Sequence, residues 1–270
     1  MVYLNEITCN KQLGGLIDLC FKMRNVSYRH PLPAIKHNRI TMKQTFGILI
    51  IGLLLIGCKE KISNEKDIQE VKVEFNQQLA DELNEMVEVD QLAAANAYPP
   101  ENYSHLSQEE WRAFKDSVYT THQNRLKEIF DEYGFVGFDL AGEDGSRNFW
   151  LMVQHSDHNP DFQKEVLKKM KIEVDNGNAI PNNYGLLMDR VSFNTGKKQV
   201  YGTQVTYNME TGQAYPKPLQ DSLNVNERRK SIGLEPIEKY LNRMTEMHFE
   251  MNKVNYLKKG VTKPKLYKQK

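Results

Sequence analysis

Between Phe46 and Gly57 the chain runs through twelve apolar or glycine residues, FGILIIGLLLIG, with Lys43 just before and the polar KEKISNEKD just after. A helix needs about 20 apolar residues to cross the hydrocarbon core, so this run is too short for a comfortable span. It has the length of a signal-peptide h-region, and Met42-Lys43-Gln44-Thr45 supplies a start methionine and a positive n-region. The run divides the 270 residues into a leading segment, a targeting segment and a remainder that must form the folded part. With 40% hydrophobic and 26% charged residues overall, the chain has the balance of a water-soluble globular protein of one or two domains.

Leu55-Ile56-Gly57-Cys58 resembles the bacterial lipobox, in which small or aliphatic residues precede a cysteine that is lipidated and becomes the mature N-terminus. The resemblance implies cleavage after Gly57, diacylglycerol on the Cys58 thiol and a membrane as partner. Each buried methylene contributes roughly 0.8 kcal/mol, so two or three acyl chains hold far more firmly than one. The alternative is an uncleaved signal anchor in which Cys58 is incidental. Lys59, not aspartate, follows Cys58, which by the rule of enteric bacteria addresses a lipoprotein to the outer membrane of the cell envelope. Residues 1–41 show no sustained hydrophobic periodicity and carry six bases against two acids. They read as the product of a misassigned upstream start, translation beginning at Met42, with a genuine cytoplasmic tail as the alternative.

From residue 44 onward the formal charge is −4, with 29 bases and 33 acids, which lacks the clustered lysine and arginine that nucleic acid requires. The three cysteines, Cys9, Cys20 and Cys58, all precede residue 59, so the mature part has no thiol for a disulfide, for catalysis or for metal ligation. A domain of this size can dispense with disulfides. There is no G-x-S-x-G elbow, P-loop or Rossmann glycine fingerprint, and no cofactor is implied.

The expected fold is mainly α with a small β-hairpin, amphipathic helices surrounding one core. Residues 58–66 read as a tether, 67–133 as a helical region, 134–257 as a further domain and 258–270 as a basic, flexible tail. From Asp67, the positions Ile68, Val71, Phe75, Leu79, Leu83, Met86 and Val87 recur at helical spacing until Pro99-Pro100. Ser107 and Glu110 have capping-box spacing ahead of a stripe through Trp111, Val118, Leu126 and Ile129, which Gly134 closes. A glycine-bearing loop at Ala141–Gly145 leads to the apolar segment Phe149–Val153. Pro160 opens a helix that ends at Asn176-Gly177-Asn178, and another short helix precedes Asn194-Thr195-Gly196. Between Lys198 and Tyr215, β-branched and aromatic residues with a turn at Met209–Gly212 indicate the hairpin. Helical patterning returns over 225–232 and 236–251.

Polar residues gather at Gln154-His155-Ser156-Asp157-His158, at Asp189-Arg190 and at Gln199-Val200-Tyr201-Gly202-Thr203-Gln204. Together with Asn226-Glu227-Arg228-Arg229-Lys230 and Gly233-Leu234, they resemble an uncharacterised bacterial family, a domain of unknown function, over roughly Gly134–Tyr240. That resemblance implies no established activity. His155 and His158 lie three apart, a weak metal signal without the spacing of a zincin helix, so no metal is assigned. Arg190 beside Asp189 could hold a carboxylate or other anion, or form a structural salt bridge. Gly202 could admit a ligand between Tyr201 and Thr203, or the group could be a satisfied polar patch under the hairpin. These groups suit two functions. One is a binding protein of the envelope, taking a small ligand or protein partner through Gln154, His155, Asp189, Arg190, Gln199, Tyr201, Thr203 and Gln204. The other is a hydrolase with His155 as general base and Asp157 or Asp189 orienting it. Both require His155, Asp189, Arg190, Tyr201 and Gln204 to converge.

Overall fold

The first helix of the described residues, α1 (Gln77–Ala95), starts where Asn76 turns its side chain back to accept from the Leu79 amide at 3.0 Å. The structure is a computed structural model, and it describes residues 73–268. The lipobox, Cys58 and the tether therefore lie outside the described residues, as do Ile68 and Val71 of the expected stripe. Leu79, Leu83 and Val87 are buried, whereas Phe75, expected on the same stripe, precedes the helix and is exposed.

α2 (Gln108–Tyr133) begins with the reciprocal capping box of Ser107 and Glu110 and ends at Gly134, whose φ of 77° suits glycine. The Trp111 indole and the Lys115 ammonium both donate to the carbonyl of Asn96, each at 3.1 Å, and so tie α2 to the end of α1. The loop expected at Ala141–Gly145 is instead a kink inside α3 (Phe138–Gln154): Gly142 alone leaves helical geometry, at φ 72° and ψ 175°. Hydrogen bonding resumes at once, because the residues behind it are the buried run Phe149–Val153. Across the α1–α3 contact, Asn148 donates to Asn84 at 2.7 Å.

α4 (Pro160–Asp175) has proline in its first turn and Asn159 as cap, and α5 (Pro181–Asn194) packs against it. These five helices share one core, from Leu79 and Leu83 of α1 through Leu126 and Ile129 of α2 to Leu187 and Val191 of α5. The helical region before residue 134 is thus continuous with the three helices after it.

The remainder is smaller. β1 (Val205–Tyr207) pairs antiparallel with β2 (Ala214–Pro216), Thr206 opposite Tyr215, and Asn208 accepts from the amides of Glu210 and Thr211 in the turn. α6 (Val225–Ser231), α7 (Ile237–Met251) and α8 (Lys253–Lys258) surround a second core of Val205, Ala214, Val225, Ile237, Leu241 and Met244. The architecture is therefore mainly α with one small hairpin. No helix of the described residues is long and apolar enough to cross a membrane.

The C-terminal tail, expected to be loose, is tied to this second unit. Tyr267 exchanges backbone-to-side-chain bonds with Asn242 at 2.7 and 2.9 Å, and its hydroxyl donates to the Ala214 carbonyl at 2.7 Å. A buried amide that bonds a backbone is a stronger constraint than the basic composition of the segment could reveal. Replacing Tyr267 by phenylalanine keeps the ring and removes only the hydroxyl bond, so stability should fall by about 1 kcal/mol. Urea unfolding followed by circular dichroism measures it, and an unchanged midpoint would mean the tail is not held.

Candidate functional site

Neighbouring residues on a helix point about 100° apart, so Asp189 and Arg190 of α5 serve different surroundings. Asp189 is fully buried, and its carboxylate accepts from the amides of Val200 at 2.7 Å, Tyr201 at 3.0 Å and Thr203 at 2.8 Å. Burial pushes its pKa up, and those three amides oppose the rise. The carbonyls of the same loop are also taken. Arg228 Nε donates to Val200 O at 2.9 Å, Arg229 Nη1 to Tyr201 O at 2.7 Å, and the Tyr240 hydroxyl to Thr203 O at 2.6 Å. Gln199 accepts from the Gln204 amide and donates to the carbonyls of Gln204 and Lys217, as a strand neighbour would. Gly202 has a φ of 70°, and a Cβ there would come within 2.7 Å of Ile237. The space expected to admit a ligand is filled by the chain itself.

On its other side α5 presents Arg190, which grips the Asp157 carboxylate with two donors, Nε to Oδ1 at 2.7 Å and Nη2 to Oδ2. Asn194 and Gln163 donate to the same Oδ1 at 2.9 and 3.3 Å. Gln163 is completely buried and also reaches the carbonyls of Val153 and Gln154, which fastens the end of α3 to α4. Gln154 is itself buried, and His158 is exposed.

His155 caps the C-terminus of α3, and its Nδ1 lies 2.7 Å from Oδ2 of Asp90 on α1. Asp90 is 1% exposed, while the imidazole keeps 9% of its surface in contact with solvent. The Tyr119 ring of α2 tilts over His155 with centroids 5.5 Å apart. From the same helix His122 brings its Nδ1 to 3.9 Å from the other carboxylate oxygen, too far for a hydrogen bond. That leaves Asp90 Oδ1 and His122 Nδ1 buried, facing each other, and without a hydrogen-bond partner. Burial pushes the Asp90 pKa up, but His155 and then His122 outweigh it and hold the carboxyl at about 2. Burial raises the Tyr119 phenol, the Asp90 charge adds to the rise, and Arg190 opposes it.

The expected single cluster is therefore two. Asp189, Gln199, Tyr201, Thr203 and Gln204 build the joint between the two cores, while His155, Arg190 and Asp157 belong to a polar centre at the ends of α1, α3 and α5. The acid that orients His155 is Asp90. Asp157 is bound to Arg190, and Asp189 to backbone amides, so neither of the expected acids does so. Asp90, His122 and Tyr119 were not picked out by local composition. Their signal is periodicity: Asp90 falls in register with Leu83, Val87 and Ala94, and His122 with Val118, Leu126 and Ile129, each a polar residue on an apolar stripe. Among the described residues no group of three or more His, Cys, Asp or Glu side chains is arranged to hold a metal ion.

The fold and centre define a helical domain built around a buried, ionised carboxylate flanked by two histidines. The chain belongs to a family of unknown function, DUF6624, which it matches over residues 77–253. The match takes in α1 through α7, a wider span than Gly134–Tyr240. No curated protein and no solved structure matches the chain.

Because the folded value for Asp90 lies below the ordinary 3.8, its ionisation contributes stability that is complete above about pH 5 and is lost as the pH falls from about 4 through 2. Asp90→Asn should cost about 2–3 kcal/mol at pH 7 in urea unfolding, and the gap to wild type should shrink at pH 2. A gap independent of pH would show that Asp90 is not held ionised by its histidines.

Proposed function

We propose that the protein is a lipid-anchored domain with an acid–base centre at His155 that hydrolyses a small polar substrate. The observation that carries this reading is the Asp90–His155 pair. The carboxylate fixes Nδ1 as the protonated nitrogen, which leaves Nε2 as the basic one. Among the described residues nothing hydrogen-bonds Nε2, and the ring reaches solvent. A neutral imidazole held in one tautomer by a buried acid is the arrangement that lets histidine remove a proton from water and return it to a leaving group. Asp90, by staying ionised, stabilises the imidazolium formed in between. Among the described residues no serine hydroxyl is hydrogen-bonded to His155, so in this reading water is the attacking group.

A binding role without turnover has its own support. Arg190 is engaged with Asp157, and the amides and carbonyls of Val200, Tyr201 and Thr203 are taken by Asp189, Arg228, Arg229 and Tyr240, so few charged or backbone groups besides the histidines remain to engage a transition state. Assays with ester, amide and phosphoester substrates separate the two readings. Wild type should turn over one class, His155→Ala should lose at least a hundredfold in kcat/KM, and Asp90→Asn should lose about a hundredfold or more. Binding of a ligand by wild type and its loss in His155→Ala, with no turnover of any class, would replace the hydrolase by the binding module.

Anchoring rests on the apolar run Phe46–Gly57 that ends at Cys58, outside the described residues. A fatty-acid analogue fed to cells should label the wild-type protein and not Cys58→Ala, and the labelled form should lack residues 1–57. Equal labelling of both would remove the lipid anchor, and fractionation to the inner membrane would remove the outer-membrane address that Lys59 suggests.

A further inference from the structure

The charge of the folded part is strongly polarised along the sequence. Residues 73–250 carry 18 bases against 29 acids, a formal −11, whereas residues 251–268 carry six lysines and no acid. Those lysines stand on a segment the structure holds in place. Tyr256 of α8 is buried, stacks on Phe249 at 5.5 Å and meets His248 at 3.0 Å, and Tyr267 closes onto the hairpin. With Tyr256 turned inward, Val254, Leu257 and Lys258 fall within about 100° of one another on the opposite side of α8. Val254 is 66% exposed and Leu257 48%. Lys259 Nζ reaches the Met209 carbonyl at 3.4 Å, which brings the hairpin turn and its exposed Met209 beside them. Leu266 is exposed next to Tyr267.

Glu210 of the turn is the one acid within this face, against six lysines from Lys253 to Lys268, and Lys253 is paired with Glu250 at its edge at 3.0 Å. Exposed aliphatic side chains interleaved with lysines that outnumber the acids are the chemistry of a surface that lies on an anionic bilayer: the apolar groups enter the headgroup boundary and the ammonium groups meet lipid phosphate and carboxylate. Val254 and Leu257 lie three apart on α8 and are therefore neighbours on that side, with Met209 and Leu266 exposed nearby. The rest of the domain, being acidic, is repelled by the same bilayer, so the two charges cooperate in one orientation. We propose that α8, the hairpin turn and the tail to Lys268 form a face that docks on an anionic lipid surface. This goes beyond the lipid on Cys58, which would set proximity and not orientation, and it is independent of the chemistry at His155.

The test uses the full chain with its three cysteines replaced by serine, so that acylation plays no part. An environment-sensitive fluorophore is placed on Asn255→Cys, beside the proposed face, or on Ser117→Cys, exposed on α2, and the protein is mixed with phosphatidylcholine vesicles with or without phosphatidylserine. The Asn255 label should shift to the blue only with phosphatidylserine, high salt should reverse the shift, and the Ser117 label should not respond. Lys258→Gln and Lys263→Gln should each lower the ratio of docked to free face about fivefold. Leu257→Ser should weaken the shift without altering its salt dependence. Equal responses with neutral and anionic vesicles, or from both labels, would overturn the proposal. So would a response to polyglutamate with none to vesicles, which would make the face a site for an acidic protein.

Discussion

The carboxylate of Asp189 is the point at which the two halves of the domain are joined. It comes from α5, whose apolar side belongs to the five-helix core, and it closes on the amides of Val200, Tyr201 and Thr203, from which the hairpin and the second core are built. An isolated carboxylate would be very costly to bury, and three amide donors offset that cost only if the loop holds one shape. Gly202 permits that shape, and Arg228, Arg229 and Tyr240 fix its carbonyls. The joint is thus rigid because nearly every polar group in it has a partner.

Arg190 shows what this rigidity does for the rest of the molecule. It is the next residue on the same helix, so the register that seats Asp189 in the joint also aims Arg190 at Asp157. Asp157 lies two residues beyond His155, and Gln163 fastens the same turn from α4. The position of His155 over Asp90 therefore depends on helices α1, α3, α4 and α5 at once. Two histidines converging on one buried acid give it a pKa well below the ordinary range, opposite to what burial alone would do. The unequal distances, 2.7 Å to His155 and 3.9 Å to His122, leave one pair satisfied and the other facing across a gap. An unpaired buried polar atom is destabilising, and such costs persist mainly where they serve a purpose other than stability.

The second core gives a small unit its stability by a different means. Thr245 accepts from the Ala214 amide and donates to Leu241, and His248 stacks on Tyr207 at 3.8 Å with its pKa pushed down by burial. These contacts hold the hairpin against α7 and, through Tyr256 and Tyr267, carry the order of the fold into its lysine-rich end. Without them that end would be an ordinary charged tail, and with them its apolar and cationic groups share a fixed face.

Most helix boundaries were written locally in the chain: the capping box at Ser107, proline in the first turns of α4 and α5, glycine after α2 and asparagine-glycine after α4 each act within a few residues. The hairpin was legible for the same reason, from β-branched residues on either side of a turn. Gly142 was misleading because a glycine reads the same in a loop and in a kink, and only the packing of the run behind it decides between them. The loop role of Gln199, Tyr201, Thr203 and Gln204 and the partners of His155 were not local at all. Asp90 lies 65 residues before His155, and its hydrogen bond exists because α1 and α3 share a core. The sequence by itself determined which segments are helical and which polar residues must find partners. Only the tertiary structure decided which partners they found, because adjacent helical residues diverge by about 100° and contacts between distant segments leave no trace in local spacing.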